Sequence, residues 1–332
     1  MIRSALSLLC VLALAACSAA TSAPPASSTT PSQPSAAPSV EQTPLDVAPV
    51  NPEERLLATV VAGTRPCGIA TDGNEVWVTD YSEAKVVRID PATNAVDLTV
   101  DTKLNPCAVV YADGSIWVAQ IVSGSLARLD PATGNLQATV EGVGQIWDIQ
   151  VDGDALWVAD HGGHAVTRVD AATNTIAAHV DLDGLVAGVA VTPGSAWVAI
   201  QSKKEIVRVD TATNEVADTI ALDANPSWWG TDGENLWVSL SDTGRVVRID
   251  PADGTVTADV MVGGTPRDIA VAAGSVWVPE PKAGTLWQLD AADGSAQAAY
   301  ALKPGIFVAD ERLGDLWVLD FSGDSAYRLS LP

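Results

Sequence analysis

A Trp-Val pair returns every forty residues along this chain, at Trp77, Trp117, Trp157, Trp197, Trp237, Trp277 and Trp317, with no insertion or deletion between copies. A period of about 40 residues made of short apolar strands is the mark of a β-propeller, one blade per repeat. Seven copies therefore predict an all-β, seven-bladed propeller. One repeat shows how a blade is built. Pro66 to Thr71 reads as the inner strand, and Asp72-Gly73-Asn74 as a tight hairpin of residues that tolerate positive φ. Glu75 to Thr79 is the second strand, Asp80 to Ala84 a loop, and Lys85 to Ile89 the third strand. In the turn Asp90-Pro91-Ala92-Thr93-Asn94, proline presets φ and asparagine closes in a left-handed conformation before the outer strand, Ala95 to Val100. Four antiparallel strands joined by hairpins make one blade.

Residues that recur once per blade read as architecture. Asp90, Asp130, Asp170, Asp210, Asp250 and Asp290 each open the turn before an outer strand, where an aspartate bonds the amides of its own turn. Arg88, Arg128, Arg168, Arg208, Arg248 and Arg328 also repeat, with Gln288 standing in blade six. The repeated Trp is expected to pack between blades. The chain stops after the third strand of the seventh blade, and Leu56–Val60 lies forty residues before the outer strand Val96–Val100. Residues 55–61 are thus predicted to complete the blade made by residues 303–331 and remove its open edge.

The first fifty residues have a different character. Residues 1–16 carry Arg3 and a short apolar run, the form of a signal peptide. The run ends in Leu14-Ala15-Ala16-Cys17, which resembles a bacterial lipobox; an ordinary secretory signal with a coincidental cysteine is the alternative. Residues 17–52 are then a lipidated cysteine and a disordered linker rich in Ser, Pro, Thr and Ala, reaching about 100 Å at ~3.1 Å per residue. Residues 53–332 make the propeller. The expected address is the cell membrane, lipid-anchored and facing outside the cytoplasm, with the protein a monomer. Removal of Cys10 with the signal and acylation of Cys17 leave Cys67 and Cys107 in an oxidising compartment. Both occupy the same place in adjacent repeats. On a seven-fold ring with an inner radius of roughly 7 Å, such points lie about 6 Å apart, within disulfide reach. A formal charge of -23 repels phosphate backbones and excludes nucleic acid as a partner.

Function is expected on the rim where the repeat departs from itself. The turns joining first to second and third to fourth strands are nearly alike in every blade. The loops joining second to third strands differ throughout, reading TDYSEAK, AQIVSGS, ADHGGHA, AIQSKKE, SLSDTGR, PEPKAGT and LDFSGDS. Near that rim, at the start of the inner strands, fall Trp147, Trp228 and Phe307, with polar neighbours Asn105, Asp148, Asn225, Arg267 and Asp268. Trp229, beside them, sits where a core residue is expected. Aromatic walls with a few polar groups furnish small-ligand sites; the same rings would also serve simply to fill the funnel. Asp80, Asp160, Glu280 and Asp320 recur three residues after the repeated Trp and are oxygen donors of the kind calcium or magnesium takes. His161 and His164 share a Gly-rich loop and lack further ligands.

The pattern GxxPxGIAxDGxxVWV followed by VxRIDPxT, written here as Gly63-Thr64-Arg65-Pro66 and Arg88-Ile89-Asp90-Pro91-Ala92-Thr93, resembles bacterial YVTN-type propellers of the virginiamycin B lyase-like superfamily over residues 55–332. The resemblance implies the propeller fold, and for the lyase branch an elimination that opens a cyclic depsipeptide lactone with magnesium and a funnel histidine. That branch carries Trp-Phe-Thr-Glu at the second strand. Here only Glu280 keeps the glutamate and no histidine follows it, so no catalytic residue is assigned. Two function classes stand: a non-enzymatic module binding a peptide, glycan or protein ligand through its funnel rim, and a metal-assisted lyase or hydrolase at the same place.

Overall fold

Each forty-residue repeat folds as its turn chemistry dictates. In blade one of the computed structural model the strands are Pro66–Thr71, Val76–Asp80, Lys85–Asp90 and Ala95–Asp101, paired antiparallel in that order. Asp72 Oδ1 accepts the amides of Asn74 and Glu75 at 2.9 Å, closing the first hairpin. Asp90 Oδ1 accepts the Ala92 amide at 2.8 Å, and Asn94 takes φ 54°, closing the second. Seven such four-stranded sheets make the molecule. The structure describes residues 45–332 other than Leu104. The expected signal peptide, Cys17 and the linker to residue 44 lie outside the described residues.

The ring closes as the repeat register requires. Leu56–Val61 pairs with Ser325–Ser330, Leu56 opposite Leu329 and Val61 opposite Ser325, so the N-terminal strand is the outer strand of blade seven. Between blades, the seven repeated tryptophans are at most 1% exposed. Trp117 and Trp157 each pack with the core residues of the following blade. Truncating a buried Trp to Ala typically costs about 3–5 kcal/mol.

The repeated arginines tie the blades together. In five blades the guanidinium lies over its own blade's Trp at 5.3–5.9 Å from the ring centroid. In four of these blades, and in blade five through Arg248, the guanidinium donates to a carbonyl in the next blade's outer turn: Arg88 to Pro131 at 2.9 Å, Arg128 to Ala171 at 2.7 Å, Arg168 to Thr211 at 3.0 Å, Arg248 to Ala292 at 3.1 Å, and Arg328 to Pro91. Gln288 breaks this pattern for a physical reason. Blade seven takes its outer strand from the N-terminus, so it has no turn between third and fourth strands for a blade-six arginine to reach. Gln288 instead accepts from the Tyr300 hydroxyl at 3.1 Å, and that hydroxyl accepts from Arg55 Nε at 2.8 Å. Arg55 also donates to the Ser330 carbonyl at 3.3 Å. The closing segment thus brings the cation that blade six lacks.

Residues 45–52, assigned by composition to the linker, lie along the outer edge of blades five and six. The Leu45 amide donates to Met261 at 3.2 Å; Val50 donates to Ala299 at 2.9 Å and accepts from Ala301 at 2.8 Å. Leu45 and Val47, one residue apart, turn to the same side and pack with a cluster that includes Trp237 and Trp287. Composition hides this because two apolar residues suffice to seat an extended strand whose hydrogen bonds are backbone.

Cys67 and Cys107 form a disulfide with Cα atoms 5.0 Å apart, joining the inner strands of blades one and two. The backbones are close enough there that a Cβ on Gly68 would stand 2.2 Å from the Cys107 carbonyl oxygen.

Candidate functional site: the channel mouth

The inner strands of all seven blades line a central cavity of about 390 Å³. At the start of six of them the pairing register slips, between Pro66 and Ile69, Pro106 and Val109, Ile146 and Asp148, Val186 and Gly188, Pro226 and Trp229, and Ile306 and Val308. A bulge re-aims the side chain it carries, and Trp147, Trp228 and Phe307 sit at these bulges. Blade six differs. Its inner strand pairs only over Ala270–Ala272. Before it, Asp268 donates its amide to Phe307 in blade seven at 3.2 Å, and Ile269 donates to Trp229 in blade five at 3.3 Å. Asp268 and Ile269 are thus held by the two neighbouring blades, while the Arg267 amide donates to Pro279 of its own blade at 3.1 Å.

The rings at the mouth form one arc. His161 stacks on Trp147 with centroids 3.9 Å apart and planes 9° from parallel. Trp147 and Trp228 lie 6.4 Å apart and 7° from parallel. Trp228 meets Phe307 edge-on at 5.4 Å, Phe307 meets Phe321 at 5.2 Å, and Phe321 meets Tyr81 edge-on at 5.7 Å. Two arginines sit on this arc, Arg267 over Phe307 at 5.3 Å and Arg65 over Phe321 at 4.9 Å. His161 Nδ1 lies 2.7 Å from the Val186 carbonyl oxygen, which only accepts, so Nδ1 carries the hydrogen and neutral His161 has a bare Nε2. Trp229, by contrast, is 4% exposed and belongs to the core of blades four and five.

Five carboxyl groups line the channel, Asp148, Asp232, Asp268, Asp310 and Glu311, and burial raises Asp148, Asp268 and Asp310. Asp148 accepts the amides of Ile149 at 2.8 Å and Val189 at 3.0 Å, yet desolvation pushes its pKa up to about 6. Asp310 is likewise pushed up to about 6 by desolvation, against the pull of Arg312, which donates to it at 2.7 Å. Asp268 is raised well above the ordinary carboxylate range, by desolvation first and then by the charges of Asp148 and Asp310. Arg267 is lowered by burial, with no carboxylate to offset it, and its Nε makes no hydrogen bond among the described residues. Burial without compensation is unfavourable, and sites that perturb several ionisable groups in one cavity are where binding and chemistry are concentrated.

The rim carboxylates have other work. Asp80 accepts amides from Thr64 at 2.9 Å, Ser82 at 3.1 Å and Glu83 at 3.2 Å. Asp160 accepts from Gln145 at 2.7 Å and Gly163 at 2.8 Å. Glu280 accepts from Thr265 at 3.2 Å, Lys282 at 2.9 Å and Ala283 at 2.7 Å, and Asp320 from Ser322 at 3.1 Å. Asp80, Asp160 and Glu280 each pin a loop between blades to the loop between second and third strands. Among the described residues no group of three or more His, Cys, Asp or Glu is placed to hold a metal ion. Asn105, at φ 56°, donates to the Tyr81 carbonyl at 3.3 Å, and the Asn225 amide donates to Asp242 at 3.2 Å, so both stabilise rim loops. His164, at φ 56°, accepts the Leu182 amide at 2.7 Å through its carbonyl and serves its turn.

Sequence reasoning found Trp147, Asp148, Trp228, Arg267, Asp268 and Phe307, and the structure brings these together. It missed Tyr81, Phe321, Asp310 and Arg312. The repeat itself carries the signal for three of them. Tyr81, His161 and Phe321 share one repeat position, and Asp310 is the one charged residue in a column otherwise filled by Ala70, Val110, Gln150, Ala190, Gly230 and Ala270.

No family model matches the chain, and no curated protein matches it. Among solved structures, the chain is similar to a streptogramin B lyase structure at 16% identity and a TM-score of 0.71, covering 84% of this chain and 96% of that one. It is also similar to a chain of Kuenenia stuttgartiensis hydrazine synthase at 13% identity and a TM-score of 0.72, covering 81% and 96%. At such identities the likeness shows the propeller fold alone.

Proposed function

We propose that this chain is a lipid-anchored, extracytoplasmic binding protein of the YVTN type, whose channel mouth takes a peptide, glycan or protein ligand. The observation that carries the binding site is the aromatic arc, open to a cavity of about 390 Å³ lined by Asp268, with Arg267 over Phe307 at its mouth and neither charge in an ion pair among the described residues. A stable core does not need such groups, because burying them costs free energy; a ligand that satisfies them offsets that cost. The export part of the reading rests on the lipobox-like run ending at Cys17, and the Cys67–Cys107 disulfide supports an oxidising compartment. Two acyl chains on Cys17 would suffice for stable anchoring.

Truncating Trp147 and Trp228 together is the test of the mouth, with Asp148→Asn and Asp268→Asn as a second pair. Both double variants should lose binding to envelope glycans or peptides that the wild-type protein retains, with the propeller still folded. Undiminished binding by both would remove the mouth from consideration. Cys17→Ser tests the anchor: continued labelling by a palmitate analogue would refute it.

A lyase or hydrolase at the same mouth is the second reading, favoured by His161, whose Nδ1–H bond to Val186 leaves Nε2 free to take a proton. The rim carboxylates accept backbone amides, and no metal-dependent step is assigned to them. Stoichiometric magnesium or calcium in the purified protein would favour this second reading.

A further inference from the structure

The channel is layered, with a cation at its mouth and carboxyls in the layers below. The repeat position of Trp147 and Phe307 is occupied in blade six by Arg267, at the mouth. The next residue along each inner strand is Asp148 in blade three and Asp268 in blade six, and Asp310 lies two residues further in. Of the charges in these layers, Asp310 pairs with Arg312 and Asp148 is held by two amides. Arg267 and Asp268, consecutive in sequence, remain. Arg267 has the face of Phe307; Asp268 accepts the Ile269 amide and feels the charge of Arg312, which is itself paired with Asp310. They pair neither with each other nor with another described residue. Asp268 thus lines the aromatic-walled cavity, and Arg267 stands over Phe307, one ring of its wall, one layer nearer the mouth.

We propose that the mouth recognises a small zwitterion: an α-amino-acid head group whose carboxylate meets Arg267 and whose ammonium meets Asp268, with an aromatic or apolar body against Trp147 and Trp228. This rests on the reading of the mouth as a binding site and narrows its ligand. A carboxylate gains two parallel hydrogen bonds from a guanidinium, and an ammonium gains a charge-assisted bond from Asp268. Both protein groups sit in a region of low polarisability, where such bonds are stronger than in water. A purely anionic ligand would satisfy Arg267 and approach three carboxyl groups; a purely cationic one would satisfy Asp268 and approach two arginines. The zwitterion avoids both conflicts. A volume of about 390 Å³ is at the lower end of small-ligand sites and suits an amino acid or a short peptide terminus.

Four probes that share one ring system separate the contributions by calorimetry on the purified protein: L-tryptophan, tryptamine, indole-3-propionate and 3-methylindole. L-Tryptophan should bind tightest. Tryptamine, lacking the carboxylate, and indole-3-propionate, lacking the ammonium, should each bind about tenfold more weakly, the loss of one charge-assisted contact. Arg267→Gln should erase the advantage of L-tryptophan over tryptamine and leave its advantage over indole-3-propionate. Asp268→Asn should do the reverse, so each variant checks the other should one fold poorly. Equal affinities for all four probes, no binding by any, or variants that weaken all four alike would overturn the zwitterion proposal. Should all four bind equally but lose affinity in Trp147→Ala/Trp228→Ala, the zwitterion fails and the mouth stands. Binding indifferent to that double variant removes the mouth as well.

Discussion

Replacing Asp148 by Asn should stabilise the propeller at neutral pH and not at acid pH. The Asp148 carboxyl is pushed from 3.8 up to about 6 by desolvation, with Asp310 adding to the rise and the amides of Val189 and Ile149 and the Gln150 side chain opposing it. Between these two values the native state holds a proton that the unfolded chain has released. Stability therefore falls as pH rises through that window and stays reduced above it. A rise of about two pK units corresponds to ~3 kcal/mol as a ceiling; water in the channel screens the charge and reduces this to roughly 1–2 kcal/mol. The Asp148 charge also raises Asp268, so its removal relieves that neighbour too and adds to the difference in the same direction. Urea midpoints at pH 4 and pH 8, with unchanged slopes, give that difference directly. The asparagine variant should gain on wild type between the two pH values by roughly 1–2 kcal/mol, the screened part of the burial penalty. A difference that does not change with pH, or that favours wild type as pH rises, would refute the claim that this carboxyl is held in its channel at a cost.

Three further outcomes test the frame around the site. Cys67→Ser/Cys107→Ser releases a loop of forty residues, worth about 4 kcal/mol in loop-closure entropy, and should lower the calorimetric melting temperature by several degrees; an unchanged melt would show that the ring does not depend on the bridge. Gln288→Arg, which restores the residue common to the other blades, should destabilise by about 1–3 kcal/mol because blade seven offers no turn carbonyl to receive the new cation; a higher melting temperature would contradict the acceptor argument. Deleting residues 45–55 should cost at least as much, since it removes Arg55 from Tyr300 and uncovers the apolar cluster under Leu45 and Val47. Its check is protection of the blade-six outer strand, Ala296–Ala301, in hydrogen exchange, which should fall.

The fold was legible because every layer of its physics repeats. Strand lengths, the Asp72 and Asp90 turns, the Trp77 column and the register of Leu56–Val61 all follow from adding forty, and the structure agrees with each to within a residue. The same arithmetic placed Cys67 beside Cys107; the observed Cα separation of 5.0 Å is below the ~6 Å expected of a regular ring because the inner strands approach closely where Gly68 has no Cβ. The site was only partly legible. Residues that depart from their column, such as Trp147 and Asp268, announced themselves. The rim carboxylates Asp80 and Asp160 accept loop amides, a role that spacing does not distinguish from ligation. The short inner strand of blade six was illegible because it arises from amides reaching Phe307 and Trp229 in two other blades, a tertiary contact with no local signature. The seating of Leu45–Val50 was hidden in the same way, since backbone bonds to Met261 and Ala299 carry it.

The most direct test of the binding site is a crystallographic fragment soak of the purified protein with amino acids, short peptides and monosaccharides. Density should gather in the channel mouth, against Trp147 and Trp228 and within reach of Arg267 and Asp268. Fragments bound only elsewhere, with the mouth holding nothing but water at the same concentrations, would contradict the account.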